Sequence, residues 1–532
     1  MFWNPASSLR RRLLSSFLLV AAPLVSSQDE PTIKDGEVLS LPRALQILLE
    51  QNFDLQVQEL EVGVARDELQ QAWGTFDPTL FASVNFEDNQ RKLNAIDYSS
   101  FGIVSDPQDS LFLEDNERTA LGISGKLPTF GTDIELSTSL NRLVNDVNSE
   151  GRFFSPEFET GVNLAISQPL LKGFWGKAPM AEVHAAEYSV RIAERGREIE
   201  VVNKLIQLTD SYLDLAFAQE NIDVKLRAVD LAETLLDENK KRVEVGKMSG
   251  LDVTQAEVQV SEALEELVLA KDFARERRLR LLALILQSFS GASLPEFEVE
   301  ADLSVGAISR SPRTLAESAL EQRPDLKLAM EEIGRSQVER KRLRSDRLPQ
   351  LDLKLSYGLG GLDDGGYASY RQITDNPADQ WSAGVVMTMP FANKKSRASA
   401  RIAERRAEQA EIEAARMRTQ ISLEVSNGVQ RLDSLRERLE NASRSRELAD
   451  KGLEVEQARL EAGQSTSFAV LDLQQTASEA ATRELAAQVD LKKAEVELWA
   501  IVGELPERLG LIINPVEKES DRGRLAWLPK PF

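Results

Sequence analysis

Apolar residues recur at intervals of seven along residues 201 to 243, at Val201, Leu208, Leu215, Ile222, Val229, Leu236 and Val243. Leu205, Tyr212 and Leu226 fill some of the intervening seam positions, and the spacing returns in Val425, Leu432, Leu439, Leu453 and Leu460, broken only at Arg446. Heptads held this long predict left-handed coiled-coil helices. From about Pro179 to Val245 such a helix runs about 100 Å at 1.5 Å per residue, too long to bury itself in a compact domain.

Each run stops at a glycine and then resumes. In "VEVGKMSGLDVTQA" (243 to 256) the break is Gly246, and Leu251, Asp252, Val253, Ala256, Val260, Leu264 and Leu267 open a second helix. "LEAGQSTSFAVLDL" (460 to 473) has the same outline 217 residues later, with Gly463 for Gly246 and Val470 for Val253. A glycine just past a helix end, followed by a short polar turn, predicts an antiparallel helical hairpin.

A second periodicity, of two, marks strands. In "FETGVNLAISQ", Phe158, Thr160, Val162, Leu164 and Ile166 alternate with smaller or polar residues, and in "WSAGVVMTMPF" so do Trp381, Ala383, Val385, Met387 and Met389. About ten alternating residues suit a tilted strand crossing a bilayer, lipid on one face and a polar lumen on the other. An ordinary half-buried sheet has the same alternation.

The chain repeats itself. "LLEQNFDLQ" (48 to 56) aligns with "ALEQRPDLK" (319 to 327), and 271 residues also separate Pro78 from Pro349 and the series Leu80, Ala82, Val84, Phe86 from Leu351, Leu353, Leu355, Tyr357. "SQPLLKG" (167 to 173) matches "TMPFANK" (388 to 394). Each half is predicted to run short helix, medium helix, strands, long helix, glycine break, second long helix. The expected boundaries are a first repeat over 28–310, with strands at about 77–170 and a hairpin at about 178–290, then a second over 311–505, with strands at about 348–391 and a hairpin at about 394–503. A tail follows over 506–532. The first half is longer: 115 residues separate Asp54 from Pro169, but only 65 separate Asp325 from Pro390. Within the excess, "ALGISGKL" (120 to 127) and "TDIELSTSL" (132 to 140) alternate like strands around the turn "PTFG". They predict either an added barrel hairpin, making six strands per chain, or an external or periplasmic flap.

Composition narrows the chemistry. Sixty-four basic against eighty-six acidic residues give a net charge of −22, which disfavours a nucleic-acid partner. The absence of cysteine excludes disulfides, thiolate metal sites and thiol nucleophiles, and the one histidine, His184, reads as a helix-surface residue. No phosphate-binding loop, metal-ligand cluster or nucleophile–base pair stands out, so no enzyme, cofactor or metal is expected. Arg10, Arg11 and Arg12, the apolar run Leu13 to Val25, and Ser26 and Ser27 read as a secretory signal peptide over 1–27. No later segment offers about 18 uncharged apolar residues, so a membrane crossing would need a closed β-barrel.

Two strands per half are too few to close a barrel of one chain, so several copies must share one. In its duplicated helix, strand and helical-hairpin plan, in "SQPLLKG" entering the third helix, and in "RLEAGQSTSFAVLDLQQ" (459 to 475) with its partner "RVEVGKMSGLDVTQAEV", the chain resembles the TolC-like outer membrane factors. The resemblance covers about residues 40 to 505. It implies a mixed α and β membrane protein whose duplicated unit forms an oligomeric β-barrel continued by an α-helical coiled-coil barrel. It further implies a homotrimer with twelve barrel strands in the bacterial outer membrane, extending into the periplasm. Such a channel is a passive exit duct for efflux or type I secretion, joined through a periplasmic adaptor to an inner-membrane pump.

On that frame Glu233, Asp237 and Glu244, with their counterparts Asp450, Glu454 and Glu461 at the offset of 217, are candidates for a gate at the narrow end. Spacings of four and seven place each trio along one helical stripe, where rings of carboxylates favour cations and resist closure. A solvated coiled-coil flank has the same composition. Gly246, Leu251, Asp252, Gly463, Phe468 and Val470 are candidates for docking the adaptor at the tips, Phe468 being an aromatic beside a solvent-facing turn. "RKRLRSDR" (340 to 347) is expected to meet anionic headgroups at the inner rim, and "GGLDDGGY" (360 to 367) to form an external loop. The alternative from another class is a secreted coiled-coil structural or adhesive protein with a soluble β region.

Overall fold

The structure is a computed structural model describing residues 33, 36–92, 111–145, 155–174, 178–245, 249–286, 295–306 and 310–511. The expected signal peptide and most of the tail lie outside the described residues. In chain order the first half holds β1 (Glu37–Leu39), α1 (Leu41–Gln51), α2 (Phe53–Trp73), β2 (Thr79–Lys92), β3 (Leu111–Lys126), β4 (Asp133–Asn145), β5 (Glu157–Pro169), α3 (Ala181–Glu244), α4 (Gly250–Ile285) and β6 (Phe297–Val299). The second half holds α5 (Pro312–Gln322), α6 (Pro324–Ser345), β7 (Gln350–Asp363), α7 (Gly366–Asp375), β8 (Ala378–Thr388), α8 (Lys394–Glu461), α9 (Ser467–Val502) and the short α10 (Leu505–Arg508). This is the duplicated plan read from the sequence.

The paired short helices of each half break where their residues demand it. Asn52 turns extended between α1 and α2, its side-chain oxygen accepting from the Asp54 and Leu55 N–H groups at 3.0 and 3.2 Å. At the matching place Pro324 opens α6, where its missing N–H costs nothing. Beside Asn52, Asp54 pairs with Lys204 on α3 at 2.5 Å, and beside Pro324, Arg323 spans Asp325 and Glu424 on α8 at 2.6 and 2.5 Å.

Strands β2, β3, β4, β5, β7 and β8 form one six-stranded sheet in that order, antiparallel throughout. The extra segment of the first half is therefore a hairpin within the sheet, not a flap. The register puts Leu80 opposite Ile123, Ile123 opposite Leu136, Leu136 opposite Leu164, Leu164 opposite Tyr357 and Tyr357 opposite Trp381. Side chains alternate between faces, so these residues share one apolar face while Ser83, Ser137, Asn163, Ser356 and Ser382 share the other. Leu80, Val84, Phe86, Trp381, Val385 and Met387 are exposed on the apolar face, which suits lipid rather than water. Among the described residues no helix is long and apolar enough to cross a membrane.

The "GGLDDGGY" segment departs from the loop expected there. Strand β7 continues to Asp363 and α7 begins at Gly366, folding back over the outer ends of β5 and β7. The Ser369 hydroxyl lies 2.6 Å from the Thr160 hydroxyl and donates to the Gly361 carbonyl at 3.0 Å. Gly361 permits this approach, because a Cβ there would lie 2.1 Å from the Ser369 carbonyl oxygen.

Below the sheet, α3 and α4 form one hairpin and α8 and α9 the other, and α9 also packs along α3. The helices therefore lie in the order α4, α3, α9, α8. The predicted seam residues Val201, Leu205, Leu208, Tyr212, Leu215, Val425 and Leu432 are buried. Arg446, which broke the second series, reaches across to the nearly buried Glu484 on α9 at 2.6 Å and to Asp450 at 3.5 Å. The hydrogen bond to Glu484 holds the Arg446 pKa above its usual value. The largest core cluster joins α1, α3, α4, β1 and β6. There the Tyr212 hydroxyl sits 2.8 Å from both the Leu39 and Glu300 carbonyls.

Candidate functional site

The two hairpin tips close by different local chemistry. At the second, Gly463 adopts φ +74° and its N–H reaches the Leu460 carbonyl at 3.1 Å, while the Gln464 N–H reaches Arg459 at 2.8 Å. These two bonds are the Schellman pattern, which needs a residue tolerant of the left-handed region. Thr466 then caps α9, accepting from the Ala469 N–H at 3.3 Å. At the first tip Gly246 lies outside the described residues. Asp252 completes a capping box there, accepting from the Ser249 N–H and hydroxyl at 2.9 Å each.

The tip residues divide by burial. Val470 is 0% exposed in a cluster with Ala232, Leu235, Leu460 and Leu471, so it joins the second hairpin to the first. Leu251 and Phe468 are 66% and 62% exposed. Phe468 lines a small groove between the starts of α4 and α9, with Asp252, Val258 and Leu471 in its walls.

All six candidate gate carboxylates are exposed, one trio on α3 and the other on α8. Asp237 pairs along its helix with Lys241 at 2.5 Å and Asp450 with Arg446 at 3.5 Å. Among the described residues no hydrogen bond or ion pair joins one trio to the other. Instead a polar seam that the heptads did not flag ties the hairpins together. The Ser467 hydroxyl donates to the Asn239 side-chain oxygen at 2.6 Å, the Gln474 amide donates to the Ala228 carbonyl at 2.6 Å, and the Thr482 hydroxyl donates to Asn221 at 3.1 Å. Asn239 Nδ2 and Gln474 Oε1 are buried without a partner. The signal was present in spacing: Gln474 falls between the buried Val470 and Ala477, where a seam residue belongs.

The outer helices leave apolar rows open. Val258, Leu264, Val268 and Leu269 are exposed on α4, and Ile402, Ile412, Leu423, Leu448 and Val455 on α8. Phe53, Val57, Leu60 and Val64 form an exposed stripe on α2 at helical spacing. The basic run expected at a lipid surface is partly engaged: Arg342 pairs with Glu339 at 2.8 Å and Asp346 with Lys172 at 3.7 Å. His184 bonds Glu187 one turn away at 3.1 Å, as a helix-surface residue does.

A two-faced antiparallel wall leading into two helices about 100 Å long, each with a return helix about half that length, defines a membrane duct with a long aqueous extension. The family profile described as "Outer membrane efflux protein" matches residues 115–285 and 315–504, and the chain belongs to that family. It is 24% identical over 342 residues to the pyoverdine export outer membrane protein OpmQ of Pseudomonas putida, covering 62% of this chain and 68% of that one. Its fold is similar to that of CusC (TM-score 0.62, 13% identity, 91% of this chain and 99% of that one). It is likewise similar to the CmeC outer membrane channel of Campylobacter jejuni (TM-score 0.58, 16% identity, 87% of this chain and 86% of that one). The protein is a TolC-like outer membrane efflux channel with a periplasmic extension, in a family of non-enzymatic transport proteins. Membership sets aside the secreted structural or adhesive alternative.

Proposed function

We propose that the chain is the exit duct of a tripartite efflux or type I secretion system. It works as a homotrimer, passive between periplasm and exterior, closed at its helical tips and opened with an adaptor that couples it to an inner-membrane pump. The observation that carries this reading is the inequality of two matched helices. Among the described residues helix α6 packs along both α3 and α8, whereas its counterpart α2 packs chiefly along α3 and leaves Phe53, Val57, Leu60 and Val64 bare. The duplication assigns α2 a second neighbour of the α8 kind. Within one chain that helix is already used, so it belongs to the next copy, where its exposed apolar row awaits cover. Channels of this family are trimeric, which fits such a closed ring.

At the tips the exposed Leu251 and Phe468 offer the adaptor an apolar foothold, while Asp252, Gly463 and Val470 shape and hold the turns. In the ring, Glu233, Asp237 and Glu244 with Asp450, Glu454 and Glu461 line the narrowing end and favour cations. The test is conductance of the trimer in planar bilayers, where neutralising Asp237 and Glu454 is expected to lower cation preference. Unchanged selectivity removes the acidic gate. A photoreactive residue at position 468, expected to cross-link in cells to a periplasmic adaptor, checks the docking assignment, and its absence from adaptor adducts overturns it.

A further inference from the structure

The sheet ends at β2 and β8, and an edge left open in lipid strands its N–H and C=O groups without partners. In an antiparallel series of six, the first and last strands run in opposite directions, so β8 of one copy meets β2 of a second copy in the antiparallel sense used throughout the sheet. We infer that three copies close through β8–β2 junctions into one wall of eighteen strands, not the twelve that four strands per chain would supply. The inference rests on the trimeric duct proposed above.

Three features place the inserted hairpin in the wall. Pairing is continuous on both sides of it, from Thr79 opposite Ser124 to Lys92 opposite Leu111, and from Asp133 opposite Ser167 to Leu143 opposite Glu157. Its apolar residues Leu121, Ile123, Ile134 and Leu136 continue the apolar face of the other strands, and Ser137 and Ser139 continue the polar one. A flap outside the bilayer has no cause to keep that match. Its turn is pinned at the end where β5 leaves for α3: Phe130 stacks on Phe174 at 5.9 Å between centroids, and the Thr132 hydroxyl donates to Gln168 at 2.5 Å.

The duplication also fixes the register between copies. Inside the chain, the junction between repeats pairs Ser167 of β5 with Lys354 of β7. Thr388 corresponds to Ser167 in the "SQP" and "TMP" alignment, and Ser83 corresponds to Lys354 in the alignment of Pro78 with Pro349. Thr388 therefore faces Ser83 of the next copy, and Met387 faces Val84. Both partners of the first pair lie on the polar face and both of the second on the apolar face, with no adjustment made to achieve it.

Barrel diameter grows about linearly with strand number, so this wall is about one and a half times as wide as a twelve-stranded one. Each copy still sends only four long helices downward, and the added strands end at their rim turn.

The chain has no cysteine, so introduced thiols report cleanly. Full-length protein carrying Ser83→Cys with Thr388→Cys is expected to oxidise to covalent trimers, and electron cryomicroscopy of the unsubstituted protein in lipid nanodiscs is expected to count eighteen strands. A trimer with a twelve-stranded wall and residues 111–145 outside it overturns the inference and leaves the duct standing; a protein that forms no trimer overturns both. Single variants Leu136→Cys and Ser137→Cys in lipid vesicles give a separate reading. A membrane-impermeant maleimide is expected to label position 137 and spare 136, and equal labelling of the two also overturns the inference.

Discussion

Glu504 shows how a single carboxylate ties the second repeat together. Arg310 donates to both its oxygens at 2.6 and 2.5 Å, and the Ser318 hydroxyl donates at 3.1 Å. The Arg310 hydrogen bonds hold the Glu504 carboxyl below the usual glutamate range. A carboxylate with a lowered folded pKa contributes stability above its unfolded value, about 4.3, and loses it as pH falls through the folded value. Glu504→Gln is therefore expected to cost about 1–2 kcal/mol near neutral pH, allowing for the part-exposed Arg310, and to flatten the acid side of a thermal-melting profile. Asp210 has the opposite sign, because burial on α3 pushes its carboxyl up despite the nearby Lys493. Its contribution is present below the unfolded value and is lost as pH rises through the folded one. Asp210→Asn is expected to melt higher than the parent at neutral pH and to converge with it in acid; a lower neutral-pH midpoint contradicts that assignment.

Among the elements, the long helices were legible because a heptad seam is a property of spacing alone, and Val201 through Leu215 are buried where the spacing put them. The strand count was only half legible. Alternation is imposed where one face meets lipid, but β3 begins at Leu111 with "LFLEDNERT", a charged stretch beyond that zone. Helix α7 was hidden for another reason, since Gly361, which reads as part of a loop, serves a close approach to Ser369. Burial at the tip was not separable either: Val470 and Phe468 are both apolar, and only the packing of α9 on α3 decides which faces inward. The same packing exposes the weakness of the α3–α9 seam, whose buried Asn239 and Gln474 each keep an unpaired atom. Such groups cost stability in the packed arrangement and, on the gating proposed above, ease the parting of the hairpins. Leu at both positions, with Ser467→Ala so that no hydroxyl loses its acceptor, is expected to raise the melting midpoint and reduce the open fraction in single-channel records. An unchanged open fraction in a stabilised protein separates the seam from gating.

For the whole molecule, sheet and helical layers are each unfinished in one chain, and in each the missing neighbour has the character of an element the chain itself carries. Strand β8 lacks a partner of the β7 kind, which the next copy supplies as β2; helix α2 lacks one of the α8 kind. Leu60, 70% exposed on α2, makes this testable without disturbing the fold of one copy. A charge there stays solvated in a lone chain, but in the ring it must give up water against the Ile402, Ile412 and Leu423 row of α8, a desolvation cost of several kcal/mol at each of three interfaces. Leu60→Glu is therefore expected to keep the helical circular-dichroism signal of the parent while native mass spectrometry in mild detergent finds monomers in place of trimers. Leu432→Glu, at a residue 0% exposed within the chain, is the contrast and is expected to lose helix signal and trimer together. If Leu60→Glu remains trimeric, the stripe on α2 faces solvent or lipid, and the ring must close through the sheet and the outer faces of α4 and α8 alone.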